Sequence, residues 1–310
     1  MVLAAAVVVS SASALRTKAH RVVGPIAGFS LLRRGPDGGT AWQGAIADTV
    51  VPHAAAGHSI VYLPPHFSPA RRYPVVYVLH GMPGSPYSVV DSMALTDIAD
   101  RLVTAGELQP FVAVIPAGPR SHYDGEWAGP WERFVVDDVV SWADRHLPVE
   151  TDAVGRTLAG YSAGGFGAVD IGLRNPGAFG TLEAWSGYFQ PPQDGPFRGV
   201  SVAVLRANDP MRIARRDVAA LRRRGVWFFL SVGTTGDRWT EGVTLRYAGE
   251  LRALRLPYRL WLAPGGHDGA FWRAQLPAAL EFAVPAVYPA MQNVAGLLPA
   301  SLRLQASASS

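Results

Sequence analysis

Cysteine is absent from all 310 residues of the sequence. Its absence excludes disulfide bonds, a thiol nucleophile and cysteine-ligated metal sites. The eight histidines show no metal-ligand spacing such as H-E-x-x-H, so we predict neither a metal nor another cofactor. A chain of this length buries a core large enough to fold without either kind of cross-link.

Lysine is nearly absent as well. Lys18 is the only one, so almost all the positive charge behind the formal net charge of +4 is arginine. The densest group of arginines, at residues 212–224, contains no aromatic residue and matches no nucleic-acid-binding motif. We interpret it as the solvated face of a helix and predict no nucleic-acid partner.

Long hydrophobic runs are also missing. The apolar segment at residues 1–14 is shorter than the roughly 20 residues that a membrane span needs, so we predict no stable membrane span. It ends in A-S-A and is similar to a signal-peptide core and cleavage site, although no basic residue precedes it. We therefore predict export, to the medium or the cell envelope. The alternative is an apolar N-terminus without a targeting role in a cytoplasmic protein.

Apolar strand-like runs alternate with helix patterns from about residue 41 onward. This alternation predicts an α/β fold with a mostly parallel central sheet and helices on both faces. We assign residues 1–40 to a leader and linker, 41–288 to one catalytic domain and 289–310 to a C-terminal tail. The strands are expected at 44–51, 59–63, 75–79, 111–115, 157–159, 200–205, 226–232 and 258–262, and the helices at 134–145, 163–174, 243–254 and 271–282.

Residues 160–164 read G-Y-S-A-G and match the nucleophile elbow G-x-S-x-G. The motif places a serine on a tight strand-to-helix turn, where small neighbours let the two elements approach each other. The helix N-terminus behind the serine stabilises negative charge. Because a predicted strand precedes the motif and a predicted helix follows it, we expect Ser162 to be a nucleophile.

A serine hydroxyl needs a base that takes its proton. His267, in a glycine-flanked loop after a late strand, is the best-placed histidine. A carboxylate should hold its ring, and Asp237 directly follows the strand at 226–232. The chain order Ser162, Asp237, His267 is that of α/β-hydrolases. Glu241, one helical turn later, remains the alternative acid, whereas Asp268 adjoins the histidine too closely to orient the ring.

The loop at residues 80–84 follows the most apolar predicted strand. In an α/β-hydrolase this loop and the residue after the nucleophile donate N–H groups to the oxyanion. Met82 and Ala163 are the expected donors, since Pro83 has no N–H. Aromatic residues crowd the same loops and can line an apolar pocket. The pocket residues that we expect are His80, Trp127, Trp131, Trp185 and Trp272.

Together these motifs resemble the Putative esterase family of α/β-hydrolases, which includes esterase D-type enzymes, feruloyl esterases and the antigen 85 mycolyltransferases. The resemblance runs from about residue 44 to 282. The segments that carry it are 62–65, 73–81, 131–134, 160–165, 266–268 and 272–276. It implies cofactor-free acyl transfer from an ester to water or to an alcohol.

Two departures separate this chain from the antigen 85 proteins. Those carry an aspartate and an arginine in the loop after the first buried strand, for trehalose, where this chain holds His80 and Pro83. Their triad acid is a glutamate, which keeps Glu241 open here.

The function that the sequence predicts is a serine carboxylic-ester hydrolase acting on a small-molecule, lipid or aryl ester through an acyl-enzyme. An acyltransferase that acylates a sugar or lipid alcohol is the first alternative, and a non-catalytic cell-envelope binding protein on the same fold is the second. The sequence predicts no oligomeric state.

Overall fold

The computed structural model describes residues 24–51, 57–120 and 125–285. Its centre is a sheet, for which the described residues supply nine strands in the order β1-β2-β3-β5-β4-β6-β7-β8-β9. The strands are β1 Ser30–Arg34, β2 Thr40–Gly44, β3 Ser59–Leu63, β4 Val75–Leu79, β5 Val112–Ile115, β6 Arg156–Tyr161, β7 Thr181–Trp185, β8 Trp227–Gly233 and β9 Tyr258–Ala263. The first three strands and β5 pair in antiparallel fashion, and the six strands from β5 to β9 run parallel. The expected α/β-hydrolase architecture with a mostly parallel sheet is confirmed.

Helices cover both faces of this sheet. They are α1 Leu95–Thr104, α2 Pro130–Arg133, α3 Val140–His146, α4 Ala163–Arg174, α5 Val202–Ala207, α6 Pro210–Arg216, α7 Val218–Arg224, α8 Arg238–Ala253 and α9 Gly269–Ala283, with π-helical segments at Ser88–Ser92 and Phe134–Val139. No helix among these described residues is long and apolar enough to cross a membrane.

Strand β4 shows how the sheet separates two cores. Its five residues are all buried. Because side chains alternate along a strand, Val75, Tyr77 and Leu79 pack into the core that contains residues of α3, α4 and α8. Val76 and Val78 pack into the opposite core with residues of α1 and α9. A strand buried on both faces explains the continuous apolar run of the sequence.

Two predicted strands differ from the structure. The strand expected at 44–51 is β2 at Thr40–Gly44, because the chain leaves the sheet afterwards. Thr49 there donates from its backbone N–H and its hydroxyl to the Asp138 carboxylate, both at 2.9 Å. The strand expected at 200–205 is helix α5, which Ser201 caps by accepting from the Val204 N–H at 3.3 Å. That segment lies at the surface, with Val202 59% exposed.

Several elements were not predicted. β1 lies within the segment that we assigned to the linker, and it pairs with β2 at the edge of the sheet. β7 was missed because Glu183 interrupts its apolar run, although this glutamate is fully buried and accepts a hydrogen bond from Trp185 Nε1 at 2.9 Å. The arginine cluster lies on two helices, α6 and α7, instead of one. The leader-like residues 1–14 and the tail at 289–310 lie outside the described residues.

The carboxyl ends of the parallel strands share one edge of the sheet, and ligands of open α/β sheets bind outside this edge. Residues 80–84 follow β4, Ser162 follows β6, Asp237 follows β8 and His267 follows β9. The topology thus gathers the predicted site residues at one end of the sheet.

Close backbone packing between β6, α4 and β4 holds this edge together. A Cβ at Gly164 would lie 2.1 Å from the Leu79 carbonyl oxygen and 2.7 Å from that of His80. A Cβ at Gly160 would lie 2.3 Å from the Gly164 oxygen. Helix α4 therefore lies closer to β4 and to β6 than a side chain at position 160 or 164 would allow. This close approach explains why both positions of the elbow are glycine.

We expect Gly164→Ala to destabilise the protein by at least about 1–3 kcal/mol, the usual cost of overpacking, because backbone atoms cannot move as a flexible side chain can. Gly249→Ala is the matched control, since no atom lies within 4 Å of a Cβ there and the residue is inside α8. That control should gain about 0.5–1 kcal/mol from helix propensity. Urea denaturation measures both, and a Gly164→Ala variant as stable as the parent would contradict the packing argument.

Candidate active site

Ser162 occupies the turn between β6 and α4. Its backbone has φ 54° and ψ −122°, a conformation that residues with a side chain rarely adopt. The turn is fixed from both sides: the Ser162 N–H donates to the Trp185 carbonyl at 2.9 Å, and the Ser162 carbonyl accepts from Gly165 and Phe166. The hydroxyl is thereby held above the N-terminus of α4, at the edge of a cavity.

His267 lies in the loop between β9 and α9 and reaches back to the serine. Its Nε2 is 2.8 Å from Ser162 Oγ, and its Nδ1 is 3.1 Å from Asp237 Oδ2. With Nδ1–H donating to the carboxylate, Nε2 is free to accept the serine hydroxyl hydrogen. The ring also packs edge-on against Trp272, with the ring centroids 5.1 Å apart.

Asp237 is the N-cap of α8. Its Oδ1 accepts from the Thr240 N–H at 3.0 Å, and its Oδ2 accepts from the Thr240 hydroxyl. Burial raises the pKa of this carboxyl, but the hydrogen bonds from Thr240 and the nearby His267 outweigh burial and lower the pKa below its ordinary value. The group is therefore an anion at neutral pH. Within the described residues His267 pairs with Asp237, and Glu241 makes no ion pair with the ring.

The electrostatic balance at His267 keeps its imidazole neutral. Burial is the largest effect and lowers the pKa of the ring, while the charges of Asp237 and Asp268 partly offset it. Because a neutral imidazole is the form that accepts a proton, the site is poised for general-base chemistry at neutral pH.

The loop after β4 lies directly against the nucleophile. A Cβ at Gly81 would lie 3.1 Å from the Ser162 Cβ and 2.7 Å from the Tyr161 ring. The next residue, Met82, lines the cavity beside Ser162. Ala163 begins α4, so its N–H belongs to the first turn, whose N–H groups have no acceptor within the helix. The structure thus places both residues, Met82 and Ala163, next to the serine.

The cavity at Ser162 and His267 has a volume of about 350 Å³. Its wall consists of Gly81, Met82, Pro83, Ser88, Ser92, Met93, Tyr161, Ser162, His267, Gly269 and Trp272. Of the five pocket residues expected from the sequence, Trp272 is in this wall. It packs on His267, and its Nε1–H donates to Ser186 Oγ at 3.1 Å.

The other four expected pocket residues are buried away from the cavity, which corrects the prediction for them. His80 is 1% exposed and its Nδ1 lies 2.9 Å from the Gly81 carbonyl, and burial lowers its pKa to about 4. Trp127 donates from Nε1 to the His80 carbonyl at 2.8 Å and stacks edge-on against Trp131. Trp185 bonds Glu183 inside the sheet. From their positions in the sequence we expected these side chains near the site, but in the folded protein they pack in the core.

Sequence reasoning missed residues that hold or line the site. Thr240 had a usable signal, because Asp237 three residues before it matches a helix N-cap. The sequence contains little signal for Ser88 and Ser92, since the π-helical segment that carries them shows no strong periodicity. Tyr161 was visible only as the variable residue of the elbow.

Comparison with known proteins gives the following relatives. Residues 57–283 match a protein-family model described as Putative esterase. An esterase of Mycobacterium tuberculosis is 31% identical over 124 residues, an alignment that takes in 38% of this chain and 26% of that protein. The chain therefore spans about a quarter of this curated relative.

Two solved structures share the fold. A ferulic acid esterase superposes with a TM-score of 0.70 at 22% identity, over 80% of this chain and 99% of that one. An S-formylglutathione hydrolase of Agrobacterium tumefaciens gives a TM-score of 0.62 at 16% identity, over 82% and 98% of the two chains. At these identities the likeness concerns the fold alone.

The contact between His267 and Asp237 can be tested by titration. In Asp237→Asn we expect the pKa of His267 to fall further, because the carboxylate charge that favours the imidazolium is removed. Asparagine caps a helix about as well as aspartate, so α8 should be retained. Glu241→Gln is the control and should leave the pKa of the His267 ring unchanged. NMR titration of the imidazole measures the effect, and a larger shift in Glu241→Gln would reverse the assignment.

Proposed function

Because the chain belongs to the Putative esterase family, we propose that it is a serine esterase on the α/β-hydrolase fold. In this proposal it hydrolyses carboxylic esters through Ser162, His267 and Asp237. The observation that carries the proposal is the continuous pair of contacts at the cavity. Ser162 Oγ lies 2.8 Å from His267 Nε2, and the other ring nitrogen lies 3.1 Å from Asp237.

In the proposed mechanism Ser162 Oγ attacks the ester carbonyl carbon while His267 Nε2 takes the hydroxyl proton. Asp237 holds the ring by its Nδ1–H and stabilises the imidazolium that forms. The backbone N–H groups of Met82 and Ala163 bind the oxyanion of the tetrahedral intermediate. His267 then protonates the leaving alcohol, which leaves the acyl group on Ser162.

Water is the proposed acceptor in the second half of the reaction. His267 deprotonates a water molecule, the hydroxide attacks the acyl-enzyme, and the carboxylic acid leaves as Ser162 regains its proton. The side chains of His267 and Asp237 are 32% and 28% exposed, so solvent reaches the site. That access supports hydrolysis over transfer to an alcohol, which a dry site favours.

We further propose that the substrate is a small or aryl ester and that the protein is exported, as residues 1–14 predict. No described residues form a cluster of three or more acidic or histidine side chains that fits a metal ion.

The central test is Ser162→Ala. We expect the variant to fold normally and to lose about 10⁴-fold or more in kcat for a p-nitrophenyl ester, the scale seen for loss of a triad nucleophile. The parent enzyme should also show a burst of p-nitrophenol equal to the enzyme concentration if deacylation is slow. Undiminished turnover in a pure Ser162→Ala preparation would exclude this mechanism.

The pH dependence follows from the neutral imidazole. Protonated His267 cannot take the serine proton, so kcat/KM should rise with pH through one ionisation. Since burial lowers the pKa of His267, the midpoint should lie below the ordinary histidine value of about 6.5.

Asp237→Asn should reduce kcat by about 10⁴-fold, by analogy with other triads. Initial rates across pH 4 to 9 check both, and a midpoint well above 6.5 would contradict the assignment.

A further inference from the structure

A buried hydrogen bond ties the tryptophan beside the His267 ring to the end of strand β7. Trp272 Nε1–H donates to Ser186 Oγ at 3.1 Å, and both side chains are buried, with Ser186 1% and Trp272 9% exposed. Ser186 directly follows β7 and does not line the cavity. An ester bound there would therefore not touch this hydroxyl, and the mechanism above gives it no role.

We propose that Ser186 is a positioning residue for the reaction, which fixes the His267 ring relative to Ser162 through the Trp272 indole. This inference rests on the proposed esterase function and adds a residue to it. In this role neither Ser186 nor the indole exchanges a proton with the substrate. Both act by holding the base.

The backbone at Ser186 is fixed by the strands that also carry the nucleophile. Its φ is 51°, in the left-handed region that residues with a side chain rarely adopt. Its N–H donates to the Ser231 carbonyl at 2.7 Å, and the carbonyl of the preceding Trp185 accepts from the Ser162 N–H at 2.9 Å. Two consecutive residues at the end of β7 thus hold the nucleophile turn and the Trp272 indole, so the indole has a defined position relative to the nucleophile.

The indole in turn contacts the imidazole. Its ring centroid lies 5.1 Å from that of His267, with an angle of 81° between the planes, and 4.6 Å from that of Tyr161. Asp237 contacts the imidazole through Nδ1, and this single contact permits the ring to tilt. A second contact from the side restricts the tilt and keeps Nε2 at 2.8 Å from Ser162 Oγ. A misplacement of about 1 Å at a reacting group can cost about 10²-fold in rate.

The indole also shields the imidazole from solvent, which makes its position measurable. Burial lowers the pKa of His267, whereas the carboxylates near the ring raise it, Asp237 from the start of α8 and Asp268 from the same loop. Loss of the Ser186 hydroxyl changes neither carboxylate. It leaves the buried indole N–H without its acceptor, so the indole shifts to reach another acceptor or water. Solvent then reaches the imidazole, and its pKa rises toward the ordinary value of about 6.5.

The test compares Ser186→Ala with Ser59→Ala as a matched control. Ser59 is also fully buried, and its Oγ also accepts a hydrogen bond, from the Ala117 N–H at 3.0 Å. It lies in β3, which β5 and β4 separate from the nucleophile strand β6. Because each variant loses one buried hydrogen bond, urea denaturation should show a similar loss of stability in both.

Only Ser186→Ala should change the chemistry. We expect its kcat for a p-nitrophenyl ester to fall by about 10- to 100-fold, the scale of a misplaced reacting group. Its KM should stay near that of the parent, since Ser186 does not line the cavity. The pKa of His267, measured by NMR titration and by the pH profile of kcat/KM, should rise. Ser59→Ala should keep the parent values of all three.

Trp272→Phe is a second, independent variant. It keeps an aromatic ring beside His267 but removes the indole N–H that bonds Ser186. The pKa of His267 should rise in this variant as well. Because the two substitutions break the same hydrogen bond, the double variant Ser186→Ala with Trp272→Phe should raise the pKa no further than Trp272→Phe alone.

The outcomes separate this inference from the proposed function. A folded Ser186→Ala with the parent kcat and His267 pKa overturns the positioning role, and so does a double variant in which the two pKa changes add. Equal changes of kcat and pKa in Ser59→Ala also overturn it, because they would follow from lost stability. If Ser186→Ala does not fold, an unchanged His267 pKa in Trp272→Phe overturns the role and a raised pKa supports it.

All of these results leave the esterase proposal standing. If the parent hydrolyses no ester, or if Ser162→Ala hydrolyses the ester as well as the parent, the proposed function fails and the positioning role fails with it.

Discussion

The backbone of helix α4 passes so near the carbonyl groups of Leu79 and His80 that position 164 has no room for a Cβ. This contact joins the two strands that carry the nucleophile and the loop after β4, so the rest of the site is built on it. It holds the Ser162 turn in its strained conformation and presses residues 80–84 against the serine. If the helix moved outward, the hydroxyl and the expected oxyanion donors would separate together.

The charge states of His267 and Asp237 depend on a balance between burial and the hydrogen bonds and charges around them. Burial alone opposes charge on both His267 and Asp237, and it would leave an uncharged pair. Hydrogen bonds from Thr240 favour the carboxylate, whereas few interactions compensate the ring. The outcome is an anion beside a neutral imidazole, which is the ground state that general-base catalysis requires.

The sequence predicted the central sheet well and indicated which residues lie together at its carboxyl edge, for a physical reason. An elbow needs glycines at fixed spacing, and a parallel strand buried on both faces needs a continuous apolar run, so both leave local signals. The helix at 163–174 and the strands at 59–63 and 75–79 have the bounds that the pattern indicated.

Other features depend on contacts that a local pattern does not contain. Trp127 can lie in the core because a distant partner, the His80 carbonyl, satisfies its indole N–H group. The apolar run at 200–205 is a surface helix in which no residue is buried, and this exposure is not evident from the apolar sequence. Residues such as Ser88 line the cavity through the path of a short segment, which neither composition nor periodicity indicates.

The position of Asp237 links two properties that proteins usually adjust separately. The same carboxylate begins helix α8 and faces His267, so one group both caps the helix and holds the imidazole. A substitution by alanine would weaken the helix start and release the ring at once, whereas asparagine would preserve the first and lose the second. Under the proposed mechanism, a substitution here that alters catalysis therefore also alters the start of α8, unless the new residue caps the helix equally well.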